Sequence, residues 1–385
     1  MKLSHDFTIE GRIITNSTFG NSLELSNDLI QFILESQDKG LEQAMSNWRL
    51  NIDDDIIKIL LDNGFILKGE SIYETIDPLH TTVNYNRTFF SVSNGNLYFD
   101  VDSSSNDSIE DIYGFIGVPY NRGSLVYNID IDSPDYLREK SNDILDITVN
   151  SEGKTSGFYS TVQEEYVFQN CIIRDYGDVV QQNSVNSYFK SLTQIASKVA
   201  NSNIKPIYIG GDHAVTYPIV KGINSVGFPF QVVHLDAHSD TSPPSNGIIH
   251  HSNIISLISN LENVKSIYQL GLSGFLTSDE LSYANQNEKI KAYIKRDINE
   301  VEINPNLPVY LTIDVDVFDS SVIPSVSYPN YYGWNSDDFI RFLKDHVSKL
   351  NIIGIDIVEY DKSKDPYGSS AIYINNIILE ILANI

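Results

Sequence analysis

A single cysteine, Cys171, stands among the 385 residues, so no intrachain disulfide can form and a cysteine-based zinc site is excluded. Long apolar runs are missing too. No window approaches the roughly 18 apolar residues of a membrane span, and the amino-terminal MKLSHDFTIEGRI has no signal-type apolar core. These absences predict a soluble, cytoplasmic protein without a membrane partner. Basic residues are scarce: 26 Lys and Arg face 51 Asp and Glu, a formal charge of −25. Nucleic acid phosphates need clustered cations that displace counterions, so nucleic acid is not an expected partner. The acid excess reads most simply as a solvated surface, and steering of a cationic substrate is an additional use for it.

What is present begins with length. At 385 residues the chain exceeds a typical single domain, and 41% apolar content is ample for a packed core. Residues 1–70 read as a small domain. FTIEGRIITNS alternates as strands do, and Ser26 offers an N-cap to LIQFILES, where Leu29, Ile30, Ile33 and Leu34 recur at helical spacing. After a second short helical stretch, DDDIIKILLDNGFILKG gives a helix with acids in its first turn, stopped at Asn63-Gly64 before a strand. Strand, three helices, strand is the order of a winged helix-turn-helix. Residues 71–108, rich in Ser, Asn and Asp, read as a hairpin and linker.

Over 109–385 strands and helices alternate. IKPIYIG precedes AVTYPIVKGI, QVVHLD precedes HHSNIISLISNL, VYLTIDV precedes SDDFIRFLKDHVSKL, and IIGIDIVEY precedes AIYINNIILEILANI. That alternation predicts an α/β domain: an open, mostly parallel sheet with helices on both faces. Ligands bind such sheets beyond the carboxyl ends of the strands. At those ends lie GGDHAVTYP (210–218), HLDAHSDT (234–241) and LTIDVDVFDSS (311–321), which carry His213, Asp236, His238, Asp240, Asp314 and Asp316. Four carboxylates and two imidazoles suit two hard or borderline ions, and manganese fits better than zinc. Two ions side by side lower the pKa of a shared water toward neutrality, so hydrolysis is the expected reaction.

The same segments resemble the ureohydrolases, the family of arginases and agmatinases. GGDHA is similar to the GGDHS-type motif, DAHSD to DAHxD, and IDVDVFDSS to SxDxDxxDP; the likeness runs from GVPYNRGS (117–124) through DYGDVV (175–180) to GIDIVEYD (354–361). By position, the resemblance implies an arginase-like fold and two Mn2+ ions. His213 and His238 would each ligate one ion, Asp236, Asp240, Asp314 and Asp316 would supply the remaining and bridging oxygens, and Asp319 would stand behind them. Glu359 resembles the family's guanidinium-binding glutamate, a role that suits a carboxylate because the planar cation offers paired N–H donors. His251 in HHSNI resembles the histidine that carries a proton to the leaving amine, and an imidazole titrates in the right range. His250 competes with it, since one residue of slip exchanges the two. Asp240 is placed with His251 and Glu359 among the catalytic groups. His234 shares a strand face with Asp236, and Asp356 lies earlier on the strand that leads to Glu359, which predicts core or supporting roles for both.

Two departures bear on substrate. IPSVSYPNYYGWN carries Ser325 and Tyr332 where the family has glycine, and TSPPSNGIIH lacks the Asn and Ser pattern with which arginases grip a free amino acid. The small domain also resembles the winged-helix modules that capture leader peptides in ribosomal peptide biosynthesis, with a packing or oligomerisation extension as the other reading. Together these predict arginine within a precursor peptide as substrate, converted to ornithine with release of urea. A free guanidino compound (agmatine, guanidinobutyrate or arginine) is the alternative, and a non-catalytic metal-binding partner protein a third. The resemblance implies a homo-oligomer, which no residue fixes.

Overall fold

The computed structural model describes residues 87–103, 111–123, 130–243 except 152 and 183, 248–294 and 300–385, with short pieces at 2–3, 7–10, 13–16, 22–26, 29–31, 33, 66–67 and 81–82. Two compact units emerge: residues 1–78 with 181–188, and residues 79–180 with 189–385.

In the first unit, Phe7–Glu10, Ile13–Asn16 and Ser22–Glu24 form an antiparallel meander, and Lys2–Leu3 pairs antiparallel with Ile66–Leu67. Helix begins at Leu29. Its amide donates to Ser26 Oγ at 3.3 Å, which is the N-cap contact a serine at that position makes. The second and third expected helices, with the acid run Asp53 to Asp55, lie outside the described residues.

The second unit is built on parallel strands β1 (Ile112–Val118), β2 (Ile172–Val179), β3 (Ile204–Gly210), β4 (Phe230–Leu235), β5 (Val264–Leu272), β6 (Ile290–Ile294), β7 (Val309–Asp314) and β8 (Ile352–Val358). They lie in the order β6-β5-β4-β7-β8-β3-β1-β2. Every residue of β4 and β7 is buried, as expected where helices cover both faces of a parallel sheet. The unit's helices include α1 (Ser133–Ser141), α2 (Thr216–Asn224), α3 (Ile254–Ser259), α4 (Ser278–Gln286), α5 (Ser336–Asp345) and α6 (Ser369–Leu382). Asn335 starts α5: its Oδ1 accepts from Asp338 N while Asp338 Oδ2 accepts from Asn335 N, a reciprocal cap.

The described residues of the segment read as hairpin and linker contribute to this unit. Thr81–Thr82 and Ser93–Asn94 both pair with β2, and Phe89 and Phe90 are fully buried in the core. The DYGDVV motif explains itself nearby. Asp175 and Asp178 clasp the buried Arg138 of α1 at 2.9 Å and 2.6 Å, and Asp175 also accepts from the amides of Phe89 and Gly177. Removing Arg138 would strand the buried Asp175 carboxylate, at a cost of about 3–5 kcal/mol.

The strand order is what builds the site. β4, β7, β8 and β3 are central neighbours although β5 and β6 intervene in sequence, so four strand ends open side by side at the point where the chain reverses direction across the sheet.

Candidate metal centre

Immediately past β3, Gly211 lets the chain turn against β1: a Cβ there would lie 1.9 Å from Tyr120 O. The following short 3-10 turn, capped by Asp212, delivers His213 into the interior. Its Nδ1 lies 3.2 Å from Asp236 Oδ2, 3.1 Å from Asp240 Oδ2 and 3.4 Å from Asp314 Oδ2. Beside it, His238 Nδ1 lies 3.4 Å from Asp236 Oδ1 and 3.0 Å from Asp316 Oδ2. Asp236 is thus common to two clusters, one oxygen turned toward each. All six residues singled out in the sequence meet here.

The hydrogen bonds behind His213 fix its proton. Thr312 Oγ donates its one hydrogen to Asp356 Oδ1 at 2.6 Å, so it can only accept from His213 Nε2, 3.0 Å away. Tyr310 and Thr216 donate to the other oxygen of Asp356. The His213 proton therefore sits on Nε2, and the lone pair on Nδ1 faces the carboxylates. Nδ1 satisfies hydrogen-bond geometry with none of them, and neither does the buried Asp240 Oδ2. Two buried, unsatisfied acceptors facing one another are costly unless a cation or a proton lies between them.

His234, which also comes within ligand distance of this cluster, has its proton fixed in the same way. The Gln269 amide nitrogen donates to Ser239 O, a group that can only accept, and so it must also donate to His234 Nδ1 at 3.2 Å. The proton is left on Nε2, which donates to Asp236 Oδ2 at 2.9 Å. His234 thus orients a carboxylate, the supporting role its place on the strand suggested.

Charge at the site is poorly compensated by protein alone. Burial pushes Asp314 well above the usual carboxylate range, and Asp316 and Asp236 push it further; burial also raises Asp316. Asp236 is held well below that range despite its burial, by His234 and by the nearby imidazoles of His213 and His238. Burial opposes charge on His213, but Asp236, Asp240 and Asp314 raise it well above its ordinary value. The lone pair that takes a proton in a cation-free site is thus the one aimed where a cation would sit. An oxygen-rich set of buried carboxylates with two imidazoles fits hard or borderline divalent ions.

Glu359 follows β8 and adopts a left-handed backbone, φ 68°, as does Asp240 at φ 50°. The Glu359 amide donates to Gly211 O at 2.9 Å, and its Oε1 accepts from His213 N at 2.8 Å. Burial, then the neighbouring Asp212, raise its carboxyl to about 8. His251 Nδ1 lies 3.9 Å from Glu359 Oε1. A cavity of about 250 Å³ is lined by His238, Asp240, His251, Asp314, Asp316 and Glu359, together with Ser252, Glu280, Ser327 and Tyr328. His251 lines it. His250 instead contacts Ser252 Oγ at 2.9 Å and opens the turn before α3.

A family model described as the arginase family matches residues 113–383. The chain belongs to the arginase family. Mitochondrial guanidino acid hydrolase of Homo sapiens is 23% identical over 282 residues, 70% of this chain and 76% of that protein. Agmatinase of Halalkalibacterium halodurans is 28% identical over 201 residues, 50% of this chain and 69% of that one. The structure of arginase from Medicago truncatula is 22% identical with a TM-score of 0.60, covering 74% of this chain and 92% of that one, which shows the same fold. This arginase-family protein is a ureohydrolase-type hydrolase, which removes the reading of a non-catalytic partner protein.

The remaining expected positions are also placed. Asp319 accepts from Ser321 N and Oγ and closes the turn after β7. Ser325 is buried and donates to Lys364 O, whereas Tyr332 is exposed. Four of the ten residues of TSPPSNGIIH, 244–247, lie outside the described residues. Sequence reasoning missed Thr312, Gln269 and Tyr328. Thr312 could have been found, since period two puts it on the face of β7 that carries Asp314. No helix among the described residues is long and apolar enough to cross a membrane.

Proposed function

We propose that the chain hydrolyses a guanidino group to an amine and urea, using two divalent cations, manganese by preference. His213, Asp236, Asp240 and Asp314 would hold one ion, and Asp236, His238 and Asp316 the other. The observation that carries this is the pair of buried, unsatisfied acceptors, His213 Nδ1 and Asp240 Oδ2, beside a carboxylate shared by two clusters in the same cavity as Glu359. When bound, the ions supply Lewis acidity and activate water at neutral pH. The protein's own groups do the rest. Glu359 accepts the N–H donors of the guanidinium and orients its carbon toward the cluster; its buried carboxyl gains a compensating cation as it does so. His251, within reach of the same pocket, passes a proton through its imidazole to the departing amine.

Peptidyl arginine is the substrate we favour. The cavity wall is acidic, with Asp240, Glu280, Asp314, Asp316 and Glu359 and no Lys or Arg among its described lining residues, which suits a cation and gives an α-carboxylate no Lys or Arg to pair with. Phe275, Tyr331 and Tyr332 expose large apolar surface on the loops after β5 and β7, where flanking residues of a peptide would lie. The amino-terminal unit would bind a distant part of the same peptide and raise its effective concentration. The relatives named for agmatine and guanidino acids support a second reading, a free guanidino compound. Mass spectrometry of products from arginine, agmatine, guanidinobutyrate and arginine-containing peptides decides between them: the peptide reading requires a shift from arginine to ornithine inside a peptide, and turnover of a free compound alone overturns it.

A further inference from the structure

Tyr328 touches two histidines at the mouth of the cavity. Its ring stacks on His251 with centroids 6.0 Å apart and planes inclined by 26°, and it meets His238 edge-on at 5.8 Å and 72°. All three side chains line the cavity that also exposes Glu359. Their accessibility differs: His251 is only 21% exposed at its side chain, while His238 is 46% exposed. A histidine on a loop, at the edge of a cavity, needs something to hold its ring plane, and the described neighbours of His251 offer backbone anchoring through His251 N to Gly123 O at 3.1 Å. Stacking on Tyr328 constrains the ring itself.

The loop that carries Tyr328 is pinned to the site. Asn330 Nδ2 donates to Asp316 O at 3.2 Å, its Oδ1 accepts from Ser273 Oγ at 2.9 Å and Tyr332 N at 3.0 Å, and its backbone oxygen accepts from Ser320 N. One asparagine thus ties the loop after β7 to the backbone of a cluster aspartate and to the loop after β5. Tyr328 is therefore a fixed wall, and the ring stacked on it inherits that fixed position. We propose that Tyr328 is a positioning residue for His251, holding its imidazole over the cavity at the 3.9 Å it keeps from Glu359. The proposal rests on the proton-transfer role given to His251 above.

The chemistry follows from geometry. Proton transfer to a leaving amine needs a donor within hydrogen-bond reach, and a misplacement of about 1 Å costs on the order of 10²-fold in rate. With the ring removed, the imidazole is free to rotate toward solvent, and the chemical step slows while guanidinium binding by Glu359 persists.

The test uses the full chain loaded with manganese, comparing Tyr328→Ala and Tyr328→Phe with the parent for kcat, KM and metal content, with crystal structures of the parent and the alanine variant. Tyr328→Ala should lower kcat by roughly 10²-fold with KM changed little, retain its metal, and show the His251 ring displaced; Tyr328→Phe, which keeps the stack, should recover most of the loss. Alanine raising KM alone would make the ring a substrate contact, and alanine losing metal would make it a support for His238; either overturns the proposal. So does phenylalanine behaving like alanine, or an unmoved His251 ring. An inactive parent on every guanidino compound tests the functional reading separately, because the ring position in the two crystal structures is read without turnover.

Discussion

Replacing Thr312 by valine removes one hydroxyl and almost no volume. That hydroxyl links His213 Nε2 at 3.0 Å to Asp356 Oδ1 at 2.6 Å, and both partners are buried. A hydrogen bond to a charged group contributes about 1.5–3 kcal/mol, and the substitution also leaves two buried polar atoms unsatisfied, so a stability loss of about 2–4 kcal/mol is expected. Metal affinity is the more telling readout. The Nδ1 lone pair faces the cluster only while Nε2 keeps its proton, and losing the group that sets this tautomer behind a ligating histidine costs about 10–100-fold in affinity. Calorimetric titration of the chelator-treated protein with manganese measures it directly, alongside urea denaturation. Thr312→Ser restores the hydroxyl and should restore affinity. Valine binding metal within about twofold of the parent would refute the tautomer argument, even if stability fell as expected.

Glu359→Gln should keep its metal and lose guanidinium turnover by about 10²-fold or more, read by metal analysis with urea release; unchanged catalytic efficiency would remove Glu359 from the substrate site. His251→Ala should cost more in kcat than His250→Ala, because His251 lines the cavity and His250 bonds to Ser252; the reverse order would transfer the proton role. Stability of the metal-free protein should fall as pH rises from about 5 to about 8. Burial raises the folded-state pKa of Glu359 to about 8 and of Asp212 to about 7, so the folded form binds more protons than the unfolded chain across that window, and the raised His213 acts in the same direction. Urea midpoints that stay level or climb with pH would contradict the assignment of buried, uncompensated carboxyls.

The central strands were legible because a parallel strand buried on both faces reads as an apolar run, and here each run ends abruptly in acids or histidine: VYLTID, QVVHLD and IKPIYIGGDH. Their adjacency was not legible. β4 and β7 become neighbours only because β5 and β6 are laid outside β4, a long-range choice that no local pattern encodes. The same divide runs through the site. Asp236, Asp240, Asp314 and Asp316 stand out by composition and spacing, whereas the tautomers of His213 and His234 depend on Thr312 with Asp356 and on Gln269, partners brought in from other strands. Tyr328 lies in an irregular loop with no periodicity, and its place beside His251 and His238 is set by tertiary structure, in which Asn330 ties the same loop to Asp316. Phe89 and Phe90 sit between polar stretches, so their segment looked like a linker although it fills the core.

Two of the carboxylate residues at the site carry a further cost that points the same way as the charge. Asp240 and Glu359 both hold left-handed backbone conformations that residues with a Cβ seldom adopt, each worth about 1–3 kcal/mol of strain. Neighbours enforce them: Ile255 N donates to Asp240 O, and Glu359 N donates to Gly211 O, which ties the end of β8 to the turn after β3. Held this way, their carboxylates face other buried carboxylates, a repulsion that an occupant of opposite charge would offset. Divalent cations at the shared Asp236 and a guanidinium at Glu359 would each do so, by replacing repulsion with attraction while the backbone stays where it is. Backbone strain and buried carboxylate thus coincide at Asp240 and Glu359, residues to which the proposed reading assigns cationic occupants.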